Sequence, residues 1–80
     1  MKNLEKLQKI IGVENPNLEN VLIAIIKTGE IVRYMAVMAD NGKMILLSTK
    51  KHEGIVWELG KPLHLQSPET INFLWEILKE

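Results

Sequence analysis

Eighty residues with ten basic and ten acidic side chains, 46% apolar content and no cysteine set the frame. A chain this short forms one domain, residues 1–80, and buries only a little over about 60% of its unfolded surface, so its stability margin is thin. The balanced charge removes the broad attraction that nucleic acid or an anionic membrane requires, and the lack of cysteine removes disulfides as staples.

The first element in chain order is a helix. Leu4, Leu7, Ile10 and Ile11 recur at helical spacing, Asn3 caps the start and Gly12 provides a left-handed exit. Glu14 to Asn17 reads as a loop, because Pro16 biases Asn15 away from the helical region. Val21 to Ile26 holds four β-branched residues in six and predicts a strand. Lys27-Thr28-Gly29-Glu30 then reads as a hairpin loop, with Ile25 facing Val32, Ile23 facing Tyr34 and Leu22 facing Met35.

Ile31 to Ala39 predicts the second strand and Met44 to Leu47 the third, joined through Asp40-Asn41-Gly42-Lys43. Asn-Gly between β-rich runs is a strong hairpin signal, since a type I′ turn needs positive φ at both central residues. This spacing sets Ala36 opposite Leu47 and Met38 opposite Ile45, with Val37 opposite Leu46 and Ala39 opposite Met44. Both faces come out apolar, which predicts that both are covered. Ile55, Trp57 and Leu59 alternate as a fourth strand, Leu63-His64-Leu65 reads as extended, and Ser67-Pro68-Glu69 is a strong helix start. Ile71 to Leu78 follows with an apolar stripe of about 200°. The order α-β-β-β-β-α predicts a small two-layer α+β domain: a four-stranded antiparallel meander with N- and C-terminal helices.

Chemistry is sparse. Asp40 is the one aspartate and sits at a turn; His52 and His64 lack partners at metal-ligand spacing; the five glycines are single and mark element ends. No catalytic constellation, metal site or cofactor motif is expected. The longest apolar run, six residues, is far short of the roughly 20 that span a bilayer, and the N-terminus lacks the apolar core of a secretory signal. The expectation is a cytoplasmic protein.

Two readings of function follow. The first is a non-enzymatic protein-binding or regulatory protein acting as a homodimer, a stoichiometric inhibitor of viral origin being one form. Its contact would come from Met35, Val37 and Met44 or from Phe73 and Ile77. The second is a protein that sequesters an anionic or nucleotide-like small molecule at an oligomer interface. Arg33, the only arginine, with Tyr34, Lys50 and Lys51 would supply that site.

Overall fold

A computed structural model describes residues 2–40 and 42–79. Three helices, α1 (Lys2–Ile11), α2 (Leu18–Lys27) and α3 (Pro68–Leu78), accompany strands β1 (Arg33–Ala39), β2 (Gly42–Ser48) and β3 (Ile55–Glu58). The strands form one antiparallel sheet in the order β1-β2-β3.

The expected four-stranded meander is corrected at its first strand, because Val21 to Ile26 belongs to α2. The helix starts three residues before the apolar run. The Asn17 side chain accepts from the Asn20 N–H, and the Asn20 side chain returns the bond to the Asn17 N–H, both at 3.0 Å. This reciprocal cap satisfies two donors at the helix start and outweighs the strand preference of β-branched residues. From Leu18 onward the pattern is helical: Val21 and Ile25 are buried, while Ile23 and Ile26 face out. Thr28-Gly29 is therefore the helix exit instead of a hairpin loop. The Thr28 N–H and hydroxyl both donate to the Ile25 carbonyl, and Gly29 turns away with φ +86°. The pairings expected across that loop do not form.

The second hairpin forms with its register displaced. Ala39 pairs with Gly42, Val37 with Met44, Ala36 with Ile45 and Arg33 with Ser48. β1 ends at Ala39 and β2 begins at Gly42, so Gly42, with φ +124°, is a strand residue. The expected Asn41-Gly42 turn includes Asn41, which lies outside the described residues. A displacement of two leaves each side chain on its expected face. Leu63–Leu65, expected as extended, forms a 3₁₀ turn, and the Leu63 N–H donates to the Pro16 carbonyl at 2.7 Å.

The core lies between the helices and one face of β2 and β3. Ile45, Leu47, Ile55 and Trp57 supply the sheet side; Leu7, Val21, Ile25, Leu63, Ile71, Leu74, Ile77 and Leu78 complete it. Three helices cover this face where two were expected, and they absorb most of the wide stripe of α3. The α3 start follows expectation: the Ser67 hydroxyl accepts from the Thr70 N–H and Pro68 occupies the first turn.

Candidate functional site

The two edges of the sheet are treated differently. At β3, the Gln66 side chain behaves as a surrogate strand: its Oε1 accepts from the Glu58 N–H at 2.8 Å. Its Nε2 donates to the Glu58 carbonyl at 3.1 Å and to the Lys61 carbonyl at 2.8 Å. One turn into α3, the Thr70 hydroxyl donates to the Val56 carbonyl. Gln66 and Thr70 are both buried, so these bonds are shielded from water. With three outward main-chain groups of β3 occupied in this way, the edge is poorly placed to recruit another strand.

At β1 no such cover exists among the described residues. The helices pack on one another and α3 packs on β3, so β1 extends beyond them. Tyr34 is 65% exposed, Met35 58% and Met38 76%, and Val37 alone in β1 is half-buried. The ladder also shows which main-chain groups are free. Both strand groups of Glu58 go to Gln66, so Ile55 and Trp57 are the β3 residues bonded to β2. Alternation along β2 then assigns Met44 and Leu46 to β1, where they face Val37 and Met35. Tyr34, Ala36 and Met38 are left with N–H and C=O turned outward.

Met35, Val37 and Met44 share the sheet face opposite the core with Leu46 and Val56, an apolar patch that no element covers among the described residues. Phe73 is at the surface, its ring edge-on to His52 with centroids 6.4 Å apart. Ile77 is only 7% exposed and packs in the core. The proposed anion residues flank one end of the β1–β2 hairpin, Arg33 and Tyr34 opposite Ser48 and Leu47, and Lys50 and Lys51 just beyond the end of β2. Arg33 opens β1, and Lys50 and Lys51 follow Thr49, whose hydroxyl accepts from the N–H groups of Lys51 and His52. No hydrogen bond or ion pair joins Arg33, Tyr34, Lys50 and Lys51 among the described residues. Lys51 instead lines an open groove of about 610 Å³ with Lys27, Lys79, Glu30 and an apolar floor that includes Ile10 and Ile23.

The free edge could have been suspected from sequence, since Arg33 to Ala39 contains no proline and only one charge. The role of Gln66 had no such signal. No group of three or more metal-ligand side chains converges among the described residues, and no helix there is long and apolar enough to cross a membrane. The fold defines a small α+β domain of three helices and a three-stranded antiparallel sheet. No protein-family model matches the chain, and no match was found among curated proteins or solved structures.

Proposed function

We propose that this chain is a non-enzymatic binding protein that works as a homodimer and regulates through association. One observation carries the reading: β1 is a seven-residue apolar strand, open on its edge and exposed on both faces, while the opposite edge is closed by Gln66 and Thr70. Long, flat, apolar edges recruit further strands, and proteins that must remain alone blunt them with lysine, proline or a bulge. Neither lysine nor proline lies in β1. The absence of cysteine supports a cytosolic setting. Light scattering at micromolar concentration tests the reading by mass. Twice the 9.2 kDa chain mass supports it, and a persistent monomer refutes it.

A second reading, a protein that sequesters an anionic small molecule, is favoured by Lys27, Lys51 and Lys79 lining one groove. ATP and inorganic phosphate are the probes. A rise in Tm that grows with probe concentration supports it, and a flat response removes it.

A further inference from the structure

Resting on the self-association reading above, we infer that two copies join β1 to β1 antiparallel, with the twofold axis at Ala36, and make one six-stranded sheet. Three observations select this pairing. The outward main-chain groups of β1 are those of Tyr34, Ala36 and Met38, and Ala36 is the middle one. A twofold axis normal to the sheet keeps each face on its own side, so directly opposed residues must have the same parity. Centring on Ala36 sets Ala36 opposite Ala36 and Tyr34 opposite Met38 in both directions, and every outward group finds a partner.

The side chains suit the same register. Tyr34 meets a methionine sulfur, a favourable neighbour for an aromatic ring. Met35 lies opposite Val37, and the small Ala36 occupies the axis, where a large residue would meet its own copy. Arg33 is the only charged residue of β1, and it falls opposite Ala39, beside Asp40 of opposite sign. No like charges oppose each other along the ladder.

The exposed parts of Tyr34, Met35 and Met38, with those of Ala36 and Ala39, come to roughly 500 Å² per copy, of which the pairing covers the flanks along the ladder. The apolar patch of Met35, Val37, Met44, Leu46 and Val56 would then run without interruption across both copies.

The native chain has no cysteine, so single cysteines report on the register without background. Opposed residues in a hydrogen-bonded antiparallel pair have Cα atoms about 5.5 Å apart, within disulfide reach. Under mild oxidation Ala36→Cys is expected to give covalent dimer in higher yield than Met35→Cys or Val37→Cys. Tyr34→Cys mixed with Met38→Cys should cross-link as a mixed pair more readily than either does alone.

Ala36→Pro provides a second test. Its lost N–H faces away from β2, so the fold should persist by circular dichroism, while both dyad hydrogen bonds vanish and the dissociation constant rises about tenfold or more. An unmodified protein that is monomeric overturns both this inference and the reading it rests on. A dimer that survives Ala36→Pro, or a cross-linking maximum away from Ala36, overturns the edge pairing alone and leaves the homodimer standing.

Discussion

Replacing Gln66 with methionine keeps the length and nearly the volume of the side chain while deleting three hydrogen bonds. The cost falls unequally. Lys61 is exposed, so water replaces the bond to its carbonyl, whereas the Glu58 N–H and C=O lie against a residue that is only 6% exposed. Leaving a buried main-chain group unsatisfied costs about 1–3 kcal/mol, so two such groups, partly rescued by water, imply about 2–4 kcal/mol. A domain of this length has roughly 4–12 kcal/mol in total, so the loss would be a large share of it. With a urea m-value of about 1 kcal/mol/M, the midpoint should fall by about 2 M or more, read by tryptophan fluorescence and circular dichroism together. A midpoint within about 0.5 M of the parent would refute the claim that Gln66 holds the β3 edge.

Three further outcomes follow from the same geometry. Gly42→Val should destabilise by about 1 kcal/mol or more because φ is +124° there, although open space surrounds the position; an unchanged midpoint would contradict that backbone. Asn17→Ala removes the α2 cap and should cost about 1 kcal/mol, measured by urea titration; no change would mean that the cap does not hold the helix start. Phe73→Glu should leave both fold and dimer intact, whereas Ile77→Glu should unfold the chain by placing a charge in the core; by light scattering, a monomeric Phe73→Glu variant would move the interface to α3.

Elements whose signal is local were legible in the sequence. Ser67-Pro68-Glu69 opens α3, Gly12 closes α1, and period-two alternation places Ile55 and Trp57 on one face of β3. The faces of the second hairpin were also right despite the altered register, because a two-residue slip preserves side-chain parity. Val21 to Ile26 failed for a physical reason. Its apolar and β-branched residues suit either a strand or a buried helix, and the choice was made by a cap four residues upstream and by packing with α1 and α3. Only tertiary structure could show that α2 joins the other helices over β2 and β3 and leaves β1 uncovered. Only it could bring Gln66, eight residues along the chain, back onto Glu58. Composition and local pattern decide which segments are regular and which faces are apolar. Which edge is closed and which stays open depends on contacts between segments distant in sequence, and those appear only once the chain has folded.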